Sequence, residues 1–136
     1  MALGARLFPS AKPRIAFPCT LLNGKACTAY GNRPAVCRTY RCELLLRRER
    51  GGISDNEALQ HITRALDLVT AAEKLLPAGQ TISEARRRLQ DDPEYWRKQP
   101  GAKQAGALKL IMAMAALNLH LDRHFRSSEQ RLIRKD

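Results

Sequence analysis

The stretch SDNEALQHITRALDLVTAAEKLLP, residues 54–77, decides the fold. Ser54 followed three residues later by Glu57 is a capping-box pattern. The serine hydroxyl accepts from the Glu57 amide, and the Glu57 carboxylate accepts from the Ser54 amide. Beyond it, Leu59, Ile62, Leu66, Val69 and Leu76 recur at steps of three, four or their sum. That spacing predicts one apolar face of a long helix, which Pro77 closes.

Working outward toward the C-terminus, Thr81 and Glu84 form a second capping box. It opens a short, very basic helix through Arg86, Arg87 and Arg88, interrupted at Asp91-Asp92-Pro93 and again at Pro100-Gly101. A last long helix is expected from about Ala102 to Phe125. Leu108, Ile111, Met112 and Ala115 lie on one side of it, and Leu110, Met114, Leu117 and Leu121 on another. A helix apolar nearly all round belongs at the centre of a bundle or in a subunit interface. The tail from Ser127 to Asp136 is expected to fray.

Toward the N-terminus, one helix is expected from near Val36 through Cys42 to Arg50, ended by Gly51-Gly52. Arg47, Arg48 and Arg50 fall in its last turn, where the helix dipole favours cations. Residues 1–36 read as irregular. Pro9, Pro13, Pro18 and Pro34 break any helix, and Asn23-Gly24 and Gly31-Asn32 are turn dipeptides. The expected fold class is therefore mainly α, in one domain. An irregular cysteine-rich metal-binding segment, residues 1–42, packs on a bundle of three to four helices over 43–126, with a tail over 127–136.

Composition agrees with a helical core. Of 136 residues 44% are apolar and only 5% aromatic, so Leu, Ile, Val and Ala must fill the interior. The net charge of +11 is uneven: residues 1–50 carry ten Lys/Arg against two acids. Residues 51–100 carry seven against eight, and residues 101–136 seven against three. Basic charge gathered around cysteines offsets the negative charge of four thiolates on one dication, and it is also a possible nucleic-acid footprint.

The four cysteines follow the spacing Cys19-x7-Cys27-x9-Cys37-x4-Cys42. The start, MALGARLFPSAKPRIAFPC, is broken by charges and prolines before any apolar run develops, so it does not read as a secretion signal. The expected compartment is the cytoplasm, where thiols stay reduced and close cysteines point to metal rather than disulfides. Four thiolates close a tetrahedral site. Cys37 and Cys42 are about 140° apart around a regular helix, so both cannot face one ion from mid-helix. Cys37 is expected in a loop or first turn, and Cys42 at a helix start.

These residues resemble a family. The run Pro18-Cys19-Thr-Leu, then Cys27-Thr-Ala-Tyr30, then Arg33-Pro34-Ala-Val-Cys37-Arg38-Thr-Tyr40-Arg-Cys42 is similar to the second half of the cysteine motif of YkgJ-type proteins, which chelate zinc or iron. The resemblance covers about 25 residues. It implies that Cys19, Cys27, Cys37 and Cys42 are ligands of zinc, iron or an iron–sulfur cluster. It also places Arg33, Pro34, Arg38, Tyr30 and Tyr40 around the centre. Arg33 and Arg38 read either as donors to the thiolates or as surface ion-pair residues, and the tyrosines as packing over the loop. The family pattern has an upstream cluster resembling C-x-x-C-x-x-C-C, and residues 1–18 contain no cysteine. Two forms stay open: a chain lacking an N-terminal segment, or a reduced four-cysteine form.

His120 and His124 stand one turn apart, a spacing that presents two metal ligands. No third ligand is evident in the sequence, and beside Arg123 and Arg126 the pair reads as a solvated face. The second functional reading is a basic, metal-stabilised nucleic-acid-binding module, with Arg86–Arg88 as phosphate contacts. No finger, helix-turn-helix or stacking-aromatic pattern accompanies it. No nucleophile–base pair or paired carboxylates stand out, so the chain does not read as an enzyme. The apolar run Ala105–Leu121 contains Lys109, Asn118 and His120 and reads as a buried helix, with no membrane partner.

Overall fold

The computed structural model describes residues 19–132 apart from Trp96 and Gln99. The expectations for residues 1–18 and 133–136 lie outside the described residues. The chain divides into two units, between Tyr40 and Arg41.

In the first unit, β1 (Leu22–Asn23) pairs antiparallel with β2 (Ala26–Cys27), Leu22 opposite Cys27 and Asn23 opposite Ala26. Gly24, at φ 58°, takes the first of the two loop positions, where a type II′ turn needs positive φ. The irregular reading of residues 19–36 misses this hairpin, because two-residue strands leave no alternation to read. A 3-10 turn over Tyr30–Asn32 and α1 (Ala35–Thr39) follow. No described residue of this unit is buried.

The single helix expected from Val36 to Arg50 is two helices. Thr39 closes α1 by bonding its hydroxyl back to the Ala35 carbonyl at 2.9 Å, a local partner that competes with continuation. Tyr40 and Cys42 are extended, at ψ 129° and 159°, and α2 (Glu43–Glu49) starts afresh.

The second unit holds α2 to α5. Past α2, Gly51 adopts φ 76°, its amide bonds to the Arg48 carbonyl and the Gly52 amide to the Arg47 carbonyl. Those two bonds are a Schellman ending, and the left-handed backbone explains the glycine. At the other end of α2 the Glu43 amide, which has no partner within the helix, bonds to the Phe125 carbonyl at 3.0 Å. α3 (Asp55–Glu73) and α4 (Ile82–Asp91) each open with the expected capping box, Ser54 with Glu57 and Thr81 with Glu84. α5 runs from Ala102 to His124. Its stretch Lys103–His124 is long and apolar enough to cross a membrane, a property it shares with buried core helices. The protein is mainly α-helical.

One face of α5 makes the core. Leu110, Met114 and Leu117 are the largest fully buried side chains, and Ala107 lies on the same face. Ala85 of α4 packs there with Leu76, Leu89, Tyr95 and Ile111 around it. The opposite face stays in solvent: Leu108 is 58% and Met112 64% exposed. α5 is thus covered on one side only within this unit.

The packing face of α3 also differs from the expected one. Leu59 and Leu66 are 59% and 61% exposed, and Ile62 is exposed as well. Val69 and Leu76 of the expected stripe are half-buried, but the covered face runs through Ala58, His61, Ala65, Leu68 and Ala72, with Ala72 fully buried. The bulky residues of α5 need space at the crossing, and small side chains on the facing helix let the axes approach.

Beyond α5 the chain is pinned by one carboxylate. Asp122, 4% exposed, accepts from Arg126 Nη1 at 2.8 Å and from the Leu132 amide through both oxygens, at 3.0 and 3.1 Å. Ser127 and Gln130 add a further capping box. Up to Leu132 the tail is therefore held rather than frayed. Arg86 of α4 sits in the same field; burial and Arg126 depress its pKa, and Asp122 opposes them.

Two stability predictions follow from this packing. Leu110→Ala should lower unfolding free energy by about 2–5 kcal/mol and Leu108→Ala by under about 0.5 kcal/mol, read by urea denaturation. Asp122→Ala should cost about 3–5 kcal/mol, because it leaves the largely buried Arg126 guanidinium without its counter-charge. A loss below about 1 kcal/mol in that variant would show the carboxylate to be dispensable.

Candidate functional site

The four cysteines are all free thiols. Cys19 sits in the turn before β1, its carbonyl accepting from the Leu22 amide at 3.0 Å. Cys27 ends β2, and Cys37 lies exposed in the first turn of α1. These three belong to the first unit. Cys42 belongs to the second, as the extended N-cap residue of α2, with no side-chain cap hydrogen bond. Cys37 lies in a first turn and Cys42 at a helix start, but on two separate helices, so the angle around a single helix does not relate them.

The residues expected around the centre have their own partners. Arg33 donates through Nε to the Tyr30 carbonyl at 3.0 Å, and its guanidinium carbon lies 3.8 Å from the centre of the Tyr30 ring. That pairing is a cation–π contact within the turn. Arg38 is exposed in the last turn of α1. Tyr30 and Tyr40, expected to pack over the loop, are both more than half exposed. Of the basic run on α4, Arg86 is half-buried near Asp122, and Arg88 donates to the Tyr95 hydroxyl at 3.1 Å. The run is not a uniform phosphate-facing stripe.

The second unit brings together a group that the sequence does not announce. His61 of α3 meets His120 and His124 of α5, and one ring nitrogen of each lies within 4.8 Å of one from each of the others. Among the described residues this is the group of three such side chains at ligand spacing, and no cysteine belongs to it. The His61 and His124 rings stack at 3.8 Å, and the His120 ring is tilted 4.8 Å from that of His124. His120 Nε2 is 3.0 Å from the His61 carbonyl. A carbonyl only accepts, so Nε2 carries a proton, and in the neutral ring the lone pair lies on Nδ1. His124 Nδ1 is buried with no hydrogen-bond partner among the described residues.

All three rings are partly covered, so His120 and His124 are not a solvated face. Burial, reinforced by His61, His120, Arg47 and Arg123, holds the His124 pKa at about 4. His61 is the member of this cluster that sequence reasoning missed. The available signal was its place among Ala58, Ala65 and Ala72, small residues that mark where another helix comes close.

Compared with protein-family models, with curated proteins and with solved structures, the chain matches none of them.

The depressed His124 pKa has a definite sign. The unfolded imidazole titrates near 6.5 and the folded one near 4, so between those values the unfolded chain binds more protons. In chelator, the urea midpoint of the metal-free protein should therefore fall as pH drops from about 6.5 to about 4. His124→Gln should show a shallower fall over the same window. Parallel curves for the two proteins would assign the acid sensitivity to other groups.

Proposed function

We propose that this is a metal-binding protein whose cysteines, Cys19, Cys27, Cys37 and Cys42, hold zinc or iron, the latter as an ion or an iron–sulfur cluster. One observation carries the reading: the described part of the first unit has an ordered hairpin, turn and helix but not one buried residue. A segment without an apolar core needs another source of order, commonly disulfides or a metal. The four cysteines are not paired in disulfides, and we assign the ordering role to a metal. The donor set fits, since soft thiolates suit zinc and iron–sulfur centres and not magnesium or calcium. The resemblance of residues 18–42 to the zinc- or iron-chelating motif supports the same assignment. The nucleic-acid reading gains little from this run, since Arg86 is partly buried near Asp122 and Arg88 donates to the Tyr95 hydroxyl within the second unit.

Metal content after anaerobic purification tests the proposal. Each of the four Cys→Ser variants should lose occupancy to a similar degree, because a closed four-thiolate site has no spare ligand. Cys42→Ser gives a second, opposite readout. A serine at the N-cap accepts from the helix amides, so the metal-free second unit should gain about 0.5–1 kcal/mol while metal is lost. Full occupancy in any one of the four variants would rule out the closed site.

A further inference from the structure

The chain contains three histidines, and the fold gathers all of them. His61 is near the start of α3, and His120 and His124 are in the last turns of α5, so only tertiary packing brings them together. We propose that His61, His120 and His124 form a second metal site, for zinc or a neighbouring divalent transition ion, independent of the cysteines.

Three features point to a ligand set rather than simple packing. The first is spacing. Zinc holds nitrogen at about 2.0–2.1 Å, so tetrahedral ligand nitrogens lie about 3.3 Å apart. The observed limit of 4.8 Å would have to close to that value on metal binding, a shift we assign to turning of the rings on their side-chain bonds. The second is orientation. His120 donates its Nε2 proton to the His61 carbonyl, and an outer hydrogen bond of this kind fixes the tautomer of a metal-ligating histidine.

The third is an unsatisfied atom. His124 Nδ1 is buried with no hydrogen-bond partner among the described residues. Stacking of His61 on His124 explains the ring contact but leaves that nitrogen without a role, and a metal or its bound water would supply one. Three neutral imidazoles select borderline ions such as zinc, cobalt, nickel and copper over magnesium and calcium. They also leave a tetrahedral ion one position for an outside ligand.

Cobalt(II) added to the full-length, metal-free protein separates this site from the cysteine centre. Thiolate-bound cobalt shows sulfur-to-metal charge transfer, and a nitrogen-bound ion shows only d–d bands. The wild-type chain should take up one cobalt beyond the thiolate-bound complement. His61→Gln, His120→Gln and His124→Gln should each weaken that equivalent by more than the roughly 10–100-fold typical of losing an outer partner. The charge-transfer band should be untouched in all three. The chain with all four cysteines changed to Ser should keep the d–d spectrum, so failure of the cysteine proposal is read separately, as a missing charge-transfer band. A readout on the wild type covers variants that do not fold: cobalt-loaded protein should give paramagnetically shifted ring N–H signals from histidine. Absence of those signals, or an unchanged cobalt stoichiometry in all three histidine variants, overturns the site.

Discussion

The second unit depends on the burial of one face of α5. Leu110, Met114 and Leu117 are its largest fully buried side chains, and all three come from this helix. Every other element of the unit is arranged to cover that face or to tie to its end. α4 lays Ala85 against it, α3 turns a small-residue face toward the crossing, and α2 is joined to its C-cap by the Glu43–Phe125 backbone bond. Apolar burial is non-directional, so it draws helices together without choosing their register. Side-chain size supplies the choice: bulky residues on α5 meet alanines on its neighbours.

The same packing creates both polar centres of the unit. The last turns of α5 carry His120, Asp122 and His124. Asp122 points into a basic surround and holds Arg126 and the Leu132 amide, which organises the chain after the helix. The two histidines turn toward α3, where a small-residue face leaves space for His61. Had the stripe Leu59–Ile62–Leu66 faced α5 instead, His61 would point elsewhere and the three rings would not meet. Packing of the helices and assembly of the histidine cluster are one event.

The first unit rests on different physics. It has a hairpin set by Gly24, a 3-10 turn braced by Arg33 on Tyr30, and a five-residue helix. None of these buries apolar surface to the extent a stable domain needs. Local hydrogen bonds each contribute only about 1 kcal/mol net, too little to offset the ordering entropy of more than twenty residues. Thiolate–metal bonds are strong enough to change that balance, which is why the cysteine proposal is tied to this unit's folding and not only to its chemistry.

Much of this was legible from local pattern. Ser54 with Glu57 and Thr81 with Glu84 marked two helix starts and Gly51-Gly52 one end, because capping and termination are decided by neighbours a few residues away; α3 stops at Glu73, short of the expected Pro77. The four cysteines and their spacing were equally plain. What periodicity could not choose was which of two apolar stripes on α3 and α5 would be buried, since both satisfy the same helical repeat. It also could not see a hairpin of two-residue strands, or a break in a helix made by Thr39 and an extended Cys42. Above all, the sequence showed His120 and His124 one turn apart but did not join them to His61, some sixty residues away, whose place among small residues marks only that some helix comes close. A contact at that separation is written in no local pattern; it exists only because α3 and α5 pack along the faces where their side chains fit.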